Sequence, residues 1–315
     1  MKIGLFAALL VSALLLWSPA FVVLWGPAFA GPTVYAQSPA APSPYSALDA
    51  WAQLPPGMEL GQVSGVELDA RGNVWVIHRA DPPILELDAS GRFLKSFGTG
   101  MFVQAHSLHF DRDGNLWAVD GDGRDGKGNH VYKLDPSDGH VLLTLPEMFN
   151  RPADVVTSAN GDVFVADGHV NSRVVKFSKD GRLLMSWGTK GSGPGELNTP
   201  HSIATDSKGR VLVGDRGNNR IEVFDQSGRY LDQWRQFGRP TGLFVAPDDT
   251  LYVADDESNA ERNPGMMPGI HVGSATDGAV RAFIPAMSTE RAVADKAGNI
   301  YAAMLAGRTV RKYVR

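Results

Sequence analysis

Apolar and polar residues alternate in short runs along most of the chain, the period-two signature of half-buried strands. No sustained 3.6-residue apolar period follows residue 36, so helices are expected to be scarce. One pattern recurs: an alternating strand, a D-x-x-G-N-like turn, then a second strand ending in V-x-D. The copies are SGVELDARGNVWVIHR (64–79), HSLHFDRDGNLWAVDG (106–121), ADVVTSANGDVFVADG (153–168), HSIATDSKGRVLVGDR (201–216), TGLFVAPDDTLYVADD (241–256) and ERAVADKAGNIYAAML (290–305). Their turn positions, Gly72, Gly114, Gly161, Gly209, Asp249 and Gly298, lie 40 to 49 residues apart. Gly and Asn suit such turns because they tolerate the positive φ of a tight hairpin. Two further strands follow within a unit, most clearly in SRVVKFSKDGRLLMSWG (172–188) and NRIEVFDQSGRYLDQW (219–234). Four antiparallel strands per unit, six times over, predict an all-β, six-bladed β-propeller. The chain ends in RTVRKYVR (308–315), a third strand with no fourth, which leaves an open edge. The N-terminal segment near Trp51–Leu54 is expected to supply that strand and close the ring.

Composition narrows the setting. The 315 residues carry 30 Lys+Arg against 34 Asp+Glu, a net charge of −4. That near-balance argues against a nucleic-acid partner. With 43% apolar residues the chain can bury a sizeable core, and 35 Gly with 20 Pro fit many turns. There is no cysteine, which excludes disulfides, thiolate ligands and a cysteine nucleophile. Residues 1–36 carry one charge, Lys2, continue as an apolar run and reach A-x-A-type ends at Ala30 and Ala36. This reads as a cleaved signal peptide, hence a periplasmic or secreted protein with no stable membrane span. Residues 37–50 are Pro/Ala/Ser-rich and read as a linker, with the propeller over 51–315.

Aligning the six units on their turns exposes candidate chemistry. Eight residues before each turn position stand Ser64, His106, Ala153, His201, Thr241 and Glu290. Blades two, four and six thus carry His, His and Glu, with small residues between. Alternate blades of a six-fold ring form a triangle about its axis, so His106, His201 and Glu290 are expected to converge. Two neutral imidazoles and a carboxylate suit a divalent ion such as zinc. Chance could place two of eight histidines in register; the alternation by blade is what favours a ligand set. His78, His109, His130, His140 and His271 show no such symmetry and read as strand or surface residues. Seven residues after the turn, blades one and four carry Arg79 and Arg216, which suit an anionic substrate. His169, on a loop at the same end, is a candidate acid or base. Asp120, Asp167, Asp215 and Asp255 recur six residues after their turns and read as structural, as do Arg173 and Arg220. Residues 257–278 form a Gly/Pro/Met-rich stretch in which Met266 and Met267 could wall the channel. The segment 121–130 lacks the spacing and closing Glu of a calcium loop.

The units 153–188 and 201–234 resemble NHL repeats. VIHRA (76–80), AHSLHFDRDGNLWAVD (105–120), RPADVVTSANGDVFVADGHVNSRVVKFS (151–178) and PHSIATDSKGRVLVGDRGNNRIEVF (200–224) resemble the peptidyl-α-hydroxyglycine α-amidating lyase family. The resemblance spans roughly 60–315 and implies a six-bladed propeller with a catalytic zinc held by histidines at these strand starts. It implies His106 and His201 as ligands, Arg79 on the substrate carboxylate and Arg216 nearby. The implied reaction splits a peptide ending in α-hydroxyglycine into an amide and glyoxylate. Three positions depart from the family. Glu290 stands where the third zinc histidine would be. Arg291 replaces an aspartate linked to a structural calcium, which argues against Ca2+. His169 replaces the tyrosine proposed as base.

These readings converge on an exported metal-dependent lyase acting on a small anionic or peptide C-terminal substrate. A metallohydrolase of the lactonase kind, or a non-catalytic scaffold with an envelope protein partner, are the rival expectations.

Overall fold

The computed structural model describes residues 43–48 and 50–315. The leader read over 1–36 lies outside the described residues. Among those described there is no α-helix, and the single 3-10 turn is Arg216–Asn218. Six four-stranded antiparallel sheets account for nearly all the strands. Blade one is Val63–Leu68, Val74–His78, Ile84–Leu87 and Phe93–Phe97. Blades three, four and five repeat that simple meander, whereas blade two inserts a small hairpin, Gly123–Arg124 with Lys127–Gly128. Each inner strand touches the inner strands of the blades on either side, and that of blade six (Thr289–Ala294) meets that of blade one, so the ring is closed.

Sequence chemistry explains the repeated corner. In blade one Asp69 Oδ1 accepts the backbone N–H groups of Arg71 and Asn73, while Gly72 adopts φ +85°. The other carboxylate oxygen accepts the indole N–H of Trp75 at 3.3 Å. Asp111 with Trp117 and Asp295 with Tyr301 repeat the arrangement. Asp249 takes the glycine's place in blade five at φ +60°. The rings thus fixed lie between blades: Trp75 and Trp117 are almost fully buried, each in an apolar cluster reaching the neighbouring blade. Such aromatic burial is worth about 3 kcal/mol per ring.

The aspartates that close V-x-D are structural, as expected. Asp120, Asp167, Asp215 and Asp255 each accept backbone N–H groups from the connector entering their own blade. Arg173 and Arg220 lock Asp167 and Asp215 at 2.8 and 2.7 Å.

The N-terminal segment does close the ring, but with Ser46–Leu48 rather than Trp51–Leu54. Ser46 pairs with Val314 and Leu48 with Lys312. The strand thus falls inside the stretch read as linker, because edge pairing needs backbone groups more than apolar side chains. Trp51 serves packing instead, edge-on to Tyr301 at 5.1 Å. The 257–278 stretch is shorter as a loop than it reads, since Gly269–Ser274 is the third strand of blade five.

Candidate metal and anion site at one end of the channel

All six residues at the aligned register, Ser64, His106, Ala153, His201, Thr241 and Glu290, line one small cavity on the axis. In four of them the backbone helps. The pairing register shifts across Ser64, His106, His201 and Glu290, so each sits at a bulge in its inner strand. A bulge leaves its residue out of the ladder and re-aims the side chain. His106, His201 and Glu290 are all buried.

The ligand atoms that gather most closely belong to His106, His169 and His201, all within 4.8 Å of one another. The three rings stand edge to face with centroids 5.0 Å apart. His169 reaches the cluster from the loop after the second strand of blade three. Gly168 makes this approach possible: any Cβ there would overlap the backbone of Pro200, the residue before His201. Gly121 likewise clears space for the His106 ring. Glu290 joins from blade six, its Oε1 3.6 Å from His201 Nε2.

Hydrogen bonds orient the rings. His201 Nδ1 donates to the Thr241 carbonyl at 2.8 Å, and His169 Nδ1 to the Arg151 carbonyl at 3.0 Å. Each bond places the lone pair on Nε2. The His106 ring meets the Ala153 backbone in the corresponding place, while its Nδ1 makes no hydrogen bond of good geometry. Burial, then the neighbouring cations, holds His106 and His201 well below the usual imidazole range and His169 at about 4. Neutral imidazoles anchored through one nitrogen to backbone carbonyls are what a divalent ion such as zinc takes as ligands. The donor set therefore fits the metal the sequence implies.

Charged groups surround the cluster. Arg79 and Arg216 are half-buried, and both lower the proton affinity of His106. Glu290 carries a carboxyl pushed up by burial and then by repulsion from the neighbouring Asp256. Asp256 stands at the seventh position after its turn, the register of Arg79 and Arg216, so counting acids as well as arginines there would have found it. Arg151 went unnoticed for a similar reason. Ten residues before the turns stand Gln62, Gln104, Arg151, Thr199, Arg239 and Ser288, a register with no evident alternation. Met266 is half-buried and Met267 exposed on the blade-five loop.

A family model for the NHL repeat matches residues 149–177 and 197–224. Peptidyl-glycine alpha-amidating monooxygenase A of Xenopus laevis is 33% identical over 246 residues, covering 64% of this chain and 26% of that protein. The chain thus spans about a quarter of that relative's length. Peptidyl-alpha-hydroxyglycine alpha-amidating lyase 1 of Drosophila melanogaster is 27% identical over 222 residues, 56% of this chain and 40% of that one. NHL repeat-containing protein 3 of Homo sapiens is 31% identical over 271 residues, covering 77% of this chain and 76% of the human protein. With that coverage, and with six blades built on one repeated corner, the chain belongs to the family of NHL repeat-containing propeller proteins.

Proposed function

We propose that the protein is a metal-dependent carbon–nitrogen lyase for a small anionic substrate of the α-hydroxyglycine type. The observation that carries this reading is the trio of neutral imidazoles, with ligand atoms within 4.8 Å, set beside two half-buried arginines. Similarity to a relative named as an amidating lyase supports the reaction class. His106, His169 and His201 would hold zinc, which supplies a Lewis acid toward a hydroxyl or carboxylate oxygen. This assignment exchanges two roles read from the sequence: His169 enters the ligand set, and Glu290 leaves it for proton handling. Export to the periplasm or medium belongs to the same proposal and rests on the leader-like residues 1–36.

In this scheme Arg79 forks onto the substrate carboxylate and fixes the carbon that bears the hydroxyl. Buried Glu290 and half-buried Asp256 form a carboxyl pair beside His201. One member takes the hydroxyl proton and the other delivers a proton to the departing nitrogen. The O–H pair becomes the new C=O bond, and the C–N bond breaks with its electrons on nitrogen. An amide and glyoxylate result, with no net oxidation.

A non-catalytic binding role is the second reading, favoured by the similarity to NHL repeat-containing protein 3 over about three quarters of each chain. One experiment separates them: metal content and glyoxylate release from an N-acyl-α-hydroxyglycine, for the purified protein and for His201→Ala. Stoichiometric zinc and glyoxylate, both lost in the variant, are expected. Zinc without glyoxylate would sink the reaction and spare the site, whereas neither would leave the scaffold reading.

A further inference from the structure

The carbonyl that orients His169 belongs to a residue in an uncommon conformation. Arg151 has φ +58°, in the left-handed region that residues with a Cβ seldom enter. Its carbonyl accepts twice from His169, from the backbone N–H at 3.3 Å and from ring Nδ1 at 3.0 Å. The backbone bond is part of the repeat, for Arg79 donates to the Gln62 carbonyl at 2.9 Å, Gly121 to Gln104 at 2.8 Å and Leu305 to Ser288 at 2.9 Å. In blade three the shared carbonyl gives its shorter bond to the imidazole. The position of this one oxygen therefore sets the direction of the ring.

Two side chains hold Arg151 in turn, and both stand at the base of the blade-two hairpin. The ladder of Gly123–Arg124 with Lys127–Gly128 continues to Asn129, whose N–H donates to the Asp122 carbonyl at 2.8 Å. Asn129 Oδ1 accepts the Arg151 N–H at 2.9 Å, and Asp122 Oδ1 lies 3.4 Å from Arg151 Nε. The ion pair is partly solvated and contributes little, so the amide bond carries the placement. The Asn129 amide has little room to turn away, because a Cβ on Gly123 would fall 2.2 Å from its Nδ2. Nor could its nitrogen serve instead, since an N–H needs an acceptor. Gly128, at φ +85°, allows the close return of the hairpin; a Cβ there would fall 2.1 Å from the Asp122 carbonyl oxygen.

We propose that Asn129 is a positioning residue for the third imidazole: from blade two it fixes the Arg151 backbone, whose carbonyl aims His169 at the other two rings. This rests on the reading of His106, His169 and His201 as the ligand set. It goes beyond that reading by giving the inserted hairpin a task in the site of the neighbouring blade.

The test compares Asn129→Gly with Asn129→Asp. Glycine keeps the φ of +55° found at this position and removes the acceptor, whereas aspartate keeps the acceptor. Nitrogen–proton correlation spectra of the zinc-free proteins report the tautomer of the His169 ring, with its signals assigned by their loss in His169→Gln. The parent protein and Asn129→Asp should hold the proton on Nδ1, and Asn129→Gly should show mixed tautomers. Competition with a chromophoric chelator should find zinc bound about fivefold more weakly by Asn129→Gly and within about twofold of the parent by Asn129→Asp. Unchanged ring signals in Asn129→Gly overturn the proposal. Equal damage from both substitutions overturns it too, since that marks general support of the hairpin rather than the hydrogen bond. A parent protein that takes up no zinc would break the ligand reading alone, and the ring spectra would still decide this one.

Discussion

Glu290 and Arg291 are neighbours in the sequence, yet they enter two networks of opposite character in one channel. Glu290 meets the histidine end, where imidazole and guanidinium nitrogens lack protein acceptors. Arg291 joins a buried layer whose charges are largely answered. Its Nη1 donates to Asp154 Oδ2 at 2.8 Å, and its Nη2 lies 3.6 Å from Glu67 Oε2. Asp154 also accepts the N–H groups of Val155 and Ile203, and Glu67 accepts that of Leu68. Only the Arg291 Nε–H is left over. His109 completes the layer: its Nε2 accepts the Thr157 N–H at 3.1 Å, which puts the proton on Nδ1, 3.9 Å from Glu67. Polar groups satisfied by protein hold blades together, while polar groups left open await something from outside. In this channel Arg291 supplies internally the positive charge that the layer's carboxylates require.

The contrast breaks if the two layers respond alike to losing an arginine. Arg291→Met strips the countercharge from buried carboxylates, Asp154 above all, and should cost about 3–5 kcal/mol. Arg79→Met removes a guanidinium that answers no buried protein acid by a hydrogen bond, and should change stability by about 1 kcal/mol or less. Urea midpoints of the two variants measure the difference. Similar losses would mean that the histidine end is structural after all.

A second way to strain the comparison is pH. Burial, opposed by Arg291, pushes the Glu67 carboxyl up to about 7 from its usual 4.5. The folded protein then keeps a proton that the unfolded chain releases above 4.5. Stability from this group is full below that value and is lost as pH rises through about 7, with a ceiling of roughly 3 kcal/mol. Glu67→Gln should flatten the decline between pH 5 and 8, leaving the variant at least as stable as the parent at pH 8. Parallel curves for the two proteins from pH 5 to 8 would count against the assignment.

The fold was legible because its signal repeats. A turn that needs positive φ, an aspartate that caps it and an aromatic ring three positions later recur from blade to blade, so one unit checks another. The register that names His106, His201 and Glu290 is equally periodic, and those residues do line the axis. What periodicity could not supply is what breaks it. The bulges that turn these side chains inward leave no residue signature. His169 sits one position beyond the Arg79–Arg216 register, on a loop whose path depends on Gly168 lying against Pro200. Arg151 is a left-handed residue at φ 58° in a connector, where sequence alone gives no direction to a side chain. The closing strand Ser46–Leu48 is exposed throughout, so no apolar pattern marks it.

The smallest effect bears on the exchange between His169 and Glu290. If three imidazoles bind the ion, His169→Gln should weaken zinc binding by at least tenfold, because a ring already oriented by the Arg151 carbonyl is lost. Glu290→Gln should shift zinc affinity by less than threefold, since its carboxyl touches the cluster only through His201 at 3.6 Å. Competition with a chromophoric zinc chelator reads both. The reverse order, with Glu290→Gln the more damaging, would restore the His-His-Glu triangle. It would also make His169 the free base.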